Sequence, residues 1–211
     1  MNKRELKRRW SLEDFRSEQS SAIEALRTPN TNLAGLDLRG IGLGNVEPFD
    51  FSAVTLGARR IVDCDFSSAT VSSFLGKSEI ENCLFREAEL KKSNFNKARL
   101  HHVRFDQAKL ESCFFNDAAF VDCSFRLVKV KDRQKLACPW LRAEFANCDF
   151  SGASIRRAEF RAARFVNCTF DDAEFSQCDL RGVKFVGGAP KQLIDCYLGG
   201  TLVDGEPIAA K

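Results

Sequence analysis

Large apolar side chains recur at every fifth residue along most of the chain. One series runs from Ile80 to Val130 and another from Phe145 to Phe185, and a small residue stands two places before each large one. A helix would repeat every three or four residues, and a flat strand every two. A period of five therefore predicts a coil that turns a corner at each repeat and closes after four repeats, or about twenty residues.

Within each repeat, the large residue and the small one are predicted to face inward, and the other three to face solvent. Coils stacked about 4.8 Å apart would satisfy the backbone hydrogen bonds of neighbouring turns. The predicted core includes Phe85, Phe95, Phe105, Phe115, Phe125, Phe145, Phe165, Phe185, Cys83, Cys113, Cys123, Cys148 and Cys168.

All nine cysteines fall in the small inward position, and none belongs to a C-x-x-C pair. A buried cysteine in such a slot behaves as a small apolar side chain. We therefore interpret the cysteines as packing residues and expect no catalytic thiol and no metal site among them.

The stretches CDFSSA, CDFSGA, NLAGLDLRG and CDLRG follow a pattern close to A-(D/N)-L-x-x over about residues 33–198. They resemble the pentapeptide-repeat protein family. The resemblance implies an all-β fold, the right-handed quadrilateral β-helix, which agrees with the four-cornered coil. We expect a helical cap at residues 1–30, the β-helix at residues 31–198 and a C-terminal tail at residues 199–211.

The segment SLEDFRSEQSSAIEAL is predicted to be a helix, with Ser11 as its N-cap and Pro29 just beyond its end. Such a helix would cover the open end of the first coil. The basic segment MNKRELKRR before it is interpreted as a solvated terminus, with binding of nucleic acid or anionic membrane as the alternative.

The register breaks in three places. GNVEPFDF shifts the frame, and VSSFLGKSEI slips it by one residue. KVKDRQKLACPW keeps the count of five but puts Arg133 and Lys135 in inward positions, so this repeat is predicted to bulge outward. Residues 72–77 and 131–137 are therefore candidate loops. Trp140 fits an inward slot, with an exposed contact as the alternative.

The sequence shows none of the residue combinations that are typical of a catalytic site. Its two histidines, His101 and His102, occupy outward positions and have no cysteine or carboxylate at ligand spacing nearby in sequence. No nucleophile paired with a base and no phosphate-binding loop is found. We predict that the protein is not an enzyme and takes no cofactor, metal ion or small-molecule substrate.

Net charge and hydropathy argue against nucleic acid and membrane as partners. The formal net charge is +3 with a pI near 8.4, which does not favour nucleic acid as a partner. No run of eighteen apolar residues indicates a membrane span, and no apolar run follows the basic start. The expected location is the cytoplasm.

The outward positions then point to protein binding. If residues twenty apart stay stacked through residues 131–142, the wall from Phe85 to Phe185 combines arginines with aliphatic side chains, as protein interfaces do. We predict a non-enzymatic protein–protein interaction scaffold, either a monomer or an end-to-end homodimer. The candidate contact residues are Arg86, Arg104, Arg126, Leu127, Arg133, Lys135, Arg164 and Lys184.

The resemblance also implies an alternative function. Some pentapeptide-repeat proteins bind DNA gyrase and other type II topoisomerases as mimics of DNA and protect them from quinolones or other poisons, and residues 72–77 and 131–137 resemble the loops of such proteins. Mimicry of a polyanion requires acidic walls, whereas the outward positions here carry mixed charge.

Overall fold

The computed structural model describes residues 1–46, 49–51, 54–131 and 138–208. Three helices come first: α1 (Lys3–Arg9), α2 (Glu13–Glu18) and α3 (Ser20–Arg27). A helical cap was predicted at this end and is confirmed. The single helix starting at Ser11 is wrong, because the hydroxyl of Ser11 donates to the carbonyl of Arg8 at 2.6 Å and α2 has no side-chain cap.

The basic opening segment is a packed helix. Asn2 and Glu5 form a reciprocal capping box at its start, and basic residues fill its last turn, where they complement the helix dipole. Leu6, Arg9 and Trp10 are buried. The interpretation of this segment as a solvated terminus is therefore wrong.

Short strands, most of them three residues long, follow the helices and are joined by turns. They are β1 (Leu33–Ala34), β2 (Gly42–Val46), β3 (Phe49–Phe51), β4 (Arg60–Val62), β5 (Thr70–Val71), β6 (Glu79–Glu81), β7 (Glu89–Lys91), β8 (Arg99–His101), β9 (Lys109–Glu111), β10 (Ala119–Val121), β11 (Lys129–Lys131), β12 (Cys138–Pro139), β13 (Glu144–Ala146), β14 (Ser154–Arg156), β15 (Ala158–Glu159), β16 (Arg164–Val166), β17 (Glu174–Ser176), β18 (Lys184–Val186), β19 (Gln192–Ile194), β20 (Leu202–Val203) and β21 (Glu206–Pro207).

These strands stack into a coil with four faces. The first face is the parallel series β1-β4-β6-β8-β10-β13-β16-β18-β20, and the third face is the parallel series β2-β5-β7-β9-β11-β14-β17-β19. The second face lies between them and consists of single bridges such as Leu84 to Arg104 and Arg104 to Ser124. The fourth face combines bridges such as Phe74 to Asn94 with the pair β12-β15. The structure is thus a right-handed quadrilateral β-helix.

The corners explain the period of five. Non-glycine residues with positive φ recur two places after the large inward residue, as at Asn82, Glu87, Lys92, Lys97 and His102. A left-handed conformation costs an L-residue about 1–2 kcal/mol. The stacked coils offset this cost by pairing the backbone of each repeat with the next coil.

The inward positions form columns of stacked rings. The rings of Phe85, Phe105 and Phe125 stack with centroids 5.2 and 5.0 Å apart. Trp140 is fully buried, so it packs as a core residue and makes no exposed contact. All thirteen predicted core residues given above are buried.

One coil carries an extra repeat. Phe120 pairs with Phe145, and the ring of Phe125 stacks on that of Phe150 at 4.8 Å, so both partners are separated by 25 residues rather than twenty. The coil that contains residues 131–142 is therefore five residues longer than the others. Each later residue lies one face earlier than a constant twenty-residue coil would place it. The assumption that the twenty-residue stacking continues through this segment is wrong.

Two further segments differ from expectation. Residues 72–77 belong to the stacked coil rather than to a loop, because Phe74 bridges Asn94 and Ile61 pairs with Ile80 after only 19 residues. Residues 202–207, expected in the C-terminal tail, contain β20, which pairs with β18, and β21, which pairs with β20. Within the described residues, no helix has the length and apolar character needed to span a bilayer.

Candidate functional site

The predicted arginine wall is divided between two faces. Arg86, Arg104 and Arg126 lie on the second face, in the repeats of Phe85, Phe105 and Phe125. Arg164 and Lys184 lie beside each other in β16 and β18 on the first face. The extra repeat causes this division. Arg133 and Lys135 lie outside the described residues.

The second-face arginines are neutralised within the rod. Asp106 is approached by Arg86 at 3.8 Å and by Arg104 at 3.3 Å, and Arg126 lies 3.7 Å from Asp149. Leu127 is exposed and packs over Gly152. Arg86 and Arg104 share one carboxylate and Arg126 has another, so each arginine would have to leave a carboxylate of the rod to pair with a partner.

The first face carries an apolar column. Val121, Ala146, Val166 and Val186 are half-buried and follow one another in register across β10, β13, β16 and β18. Three strand steps of about 4.8 Å make this stripe about 14 Å long. Arg164 and Lys184 flank it, are exposed, and have no ion pair with any described residue. We call these six residues the first-face stripe.

The third face is basic. Its exposed cations are opposed by the half-buried Glu89, Glu111 and Glu174, and α1 adds two lysines, Lys3 and Lys7, both within 4.0 Å of Glu89. Burial, together with the nearby lysines, lowers the pKa of Lys7 in spite of Glu89. The cations on this face are Lys91, Lys92, Lys109, Lys129, Arg156 and Arg157.

The thiols are arranged for packing. Eight of the nine cysteines are buried, and Cys196 is half-buried. Burial raises the pKa of Cys113, and the thiol of Cys83, hydrogen-bonded to Cys64, also has a raised pKa. Cys64 and Cys196 are the exceptions. A hydrogen bond with Cys83 lowers the pKa of Cys64, and one with Cys178 lowers the pKa of Cys196 to about 7.

The two histidines have a carboxylate neighbour that the linear sequence conceals. His102 and Asp122 occupy the same corner of successive coils on the first face, and one potential ligand atom from each of His101, His102 and Asp122 lies within 4.8 Å of the others. The signal for this cluster was the twenty-residue coil, since stacking joins positions 102 and 122. Sequence reasoning looked only at residues near in the chain.

A vertical stack of four-cornered coils whose inward positions repeat every five residues defines a class of protein, the parallel β-solenoid. Within this class the chain carries pentapeptide repeats. The family model described as pentapeptide repeats matches residues 78–111 and 143–185, in eight copies.

Solved structures of the same kind resemble the chain at low identity. QnrB1, described as a plasmid-mediated fluoroquinolone resistance protein, is 14% identical, with 82% of this chain and 93% of that chain covered and a TM-score of 0.43. HetL from the cyanobacterium Nostoc sp. strain PCC 7120, involved in regulation of heterocyst differentiation, is 14% identical over 92% and 98% of the chains, with a TM-score of 0.33. Among curated proteins, none matches the chain significantly. At this level of identity, the comparison with these structures indicates no particular binding partner for the chain.

Proposed function

We propose that the protein is a non-enzymatic scaffold that binds a partner protein through the first-face stripe. The observation that carries the proposal is the apolar column of Val121, Ala146, Val166 and Val186 beside two cations, Arg164 and Lys184, that have no ion pair with any described residue. Protein interfaces combine a desolvated apolar centre with arginine at its edge. The partner surface that fits is an apolar strip with acidic residues on one side.

The availability of the charges favours this face over the second. Arg164 and Lys184 can pair with a partner carboxylate without first breaking a bond inside the rod. On the second face, Arg104 would have to leave Asp106 and Arg126 would have to leave Asp149. Breaking such a pair cancels most of what a new surface pair contributes, which is at most about 1 kcal/mol.

The charge distribution also favours the scaffold over the topoisomerase alternative. A DNA mimic needs acidic walls that attract a basic groove. The third face instead presents six exposed lysines and arginines. We expect micromolar protein neither to inhibit supercoiling by DNA gyrase nor to protect the enzyme from a quinolone. Inhibition in that assay would favour the topoisomerase function over the scaffold function.

The proposal is tested by site-specific photo-crosslinking in cells. A photoreactive residue replaces Val166 on the first face or, as the matched control, Ser176, which occupies the same half-buried slot on the third face. We expect one protein to crosslink from position 166 and not from 176. Val166→Glu should weaken its binding to purified rod at least about tenfold, and Ser176→Glu should not.

Thermal unfolding checks that both variants keep the fold. Equal crosslinking from the two positions, or undiminished binding by Val166→Glu, would rule out the stripe as the interface.

A further inference from the structure

We propose that His101, His102 and Asp122 form a binding site for one divalent first-row transition-metal ion, with Zn²⁺ as the ion best suited. The site lies on the first face, where His101 pairs in register with Val121 at the N-terminal end of the apolar column. All three side chains are exposed. The inference is independent of the partner protein proposed above.

The coil brings the ligands together. His101 ends β8, and His102 and Asp122 both occupy corners with positive φ, at 53° and 54°. The backbone N–H of His102 donates to the carbonyl of Val121 at 3.1 Å, which fixes one coil against the next. The ring centroids of His101 and His102 lie 4.3 Å apart, with the ring planes at 88° in an edge-to-face contact.

The donor set suits a borderline-soft cation. Two imidazole nitrogens and a carboxylate oxygen are usual ligands of Zn²⁺, which binds them at about 2.0–2.2 Å. Ligand atoms around a tetrahedral ion of that radius lie about 3.4 Å apart. Because the three ligand atoms lie within 4.8 Å of one another, any pair has to close by at most about 1.4 Å, and exposed side chains can make this change by rotating without movement of the backbone.

A neighbouring residue orients the carboxylate. Asn147, one coil further on, donates from Nδ2 to Oδ1 of Asp122 at 3.0 Å. Such a hydrogen bond to a ligating carboxylate is typical of metal sites and leaves the other oxygen for the ion. Three protein ligands leave one tetrahedral position for water or for a ligand atom from another molecule.

The chain contains only these two histidines, so no other histidine can contribute to metal binding in the test. Full-length protein is titrated with ZnCl₂ by calorimetry and with CoCl₂ by absorption. We expect one saturable site, at least tenfold weaker binding for His102→Ala and for Asp122→Asn, and wild-type binding for Asp63→Asn. Asp63 is the matched control, since it is an exposed carboxylate at the same kind of corner on the same face.

Three results would overturn the proposal. The first is no saturable binding up to millimolar metal. The second is unchanged affinity in the double variant His101→Ala/His102→Ala. The third is a thiolate-to-cobalt charge-transfer band that disappears in Cys196→Ser, because it would place the ion on the half-buried thiol instead.

Discussion

The clamp between Arg9 and Asp37 holds the helical cap on the first coil. Arg9 is 8% exposed, and its Nη1 and Nη2 donate to the two carboxylate oxygens of Asp37 at 3.1 and 2.7 Å. Nη2 and the indole nitrogen of Trp10 both donate to the carbonyl of Arg39 at 2.8 Å. The change Asp37→Asn removes the charge from this clamp and keeps the side-chain shape.

The expected loss of stability is about 2 kcal/mol. Removing one partner of a fully buried ion pair costs about 3–5 kcal/mol, because the remaining charge is left without compensation. The carboxylate of Asp37 is 41% exposed, so water offsets part of that cost. An effect of about 2 kcal/mol is about a 30-fold change in the equilibrium for release of the cap.

Native-state hydrogen exchange measures this release directly. The amides of α1, α2 and α3 should exchange about 30-fold faster in Asp37→Asn, whereas those of coils far from the cap should not, because a solenoid couples mainly neighbouring repeats. The control is Asp117→Asn, which breaks a bidentate pair with Arg142 whose side chain is 61% exposed. Because water surrounds this pair, its loss should change stability little.

The effect should also depend on pH. Burial alone raises the pKa of Asp37, but hydrogen bonds from Arg39 and Arg9 outweigh it and hold the pKa far below its usual value. Because the folded-state pKa is lowered, the stabilisation is complete above the unfolded pKa of about 4 and is lost as the pH falls further. Wild type and Asp37→Asn should therefore converge in acid. Equal effects of the two Asn variants, or a difference that does not change with pH, would refute the reasoning.

Two further predictions concern the core and the one accessible thiol. Phe105→Ala should cost about 3–5 kcal/mol in urea unfolding and Phe105→Leu clearly less, because Phe105 is fully buried between two stacked rings; equal costs would contradict the stacking. Iodoacetamide should modify Cys196 first, at a rate that rises with pH with a midpoint near pH 7. Cys178→Ala should move the midpoint of this pH profile to higher pH. Peptide mapping that finds another cysteine modified first would contradict the prediction.

The repeat predicts burial well because burial in this fold is a local property. Each inward side chain is specified by its own five residues, so Phe105 and Cys113 could be placed without knowledge of any partner. The cap helix α1 had a local signal too, since Asn2 and Glu5 have the spacing of a capping box. Its basic character led to the wrong interpretation.

Contacts between coils could not be predicted in the same way. They depend on the number of residues in each coil, which is 19 between Ile61 and Ile80 and 25 between Phe120 and Phe145. The period of five is compatible with either number. For this reason, the sequence placed Arg164 on the same wall as Arg104. The approach of Asp122 to His102, by contrast, requires only the usual twenty-residue coil and could have been predicted.

The extra repeat adds five residues to one coil, and its effect on the stacking of the later coils can be tested by removing it. Deletion of residues 132–136 shortens the separation of Phe120 and Phe145 from 25 residues to the usual twenty, so we expect a folded rod in which Phe145 still stacks on Phe120. Asn147 should likewise stay beside Asp122. In the wild-type coil, Asp122→Cys with Asn147→Cys should form a disulfide under mild oxidation, since those side chains are 3.0 Å apart. The same pair should crosslink in the deletion, and Leu127→Cys with Asn147→Cys should crosslink in neither protein. Loss of the first crosslink in the deletion, or its replacement by the second, would show that the later coils need the extra repeat to stack on these faces.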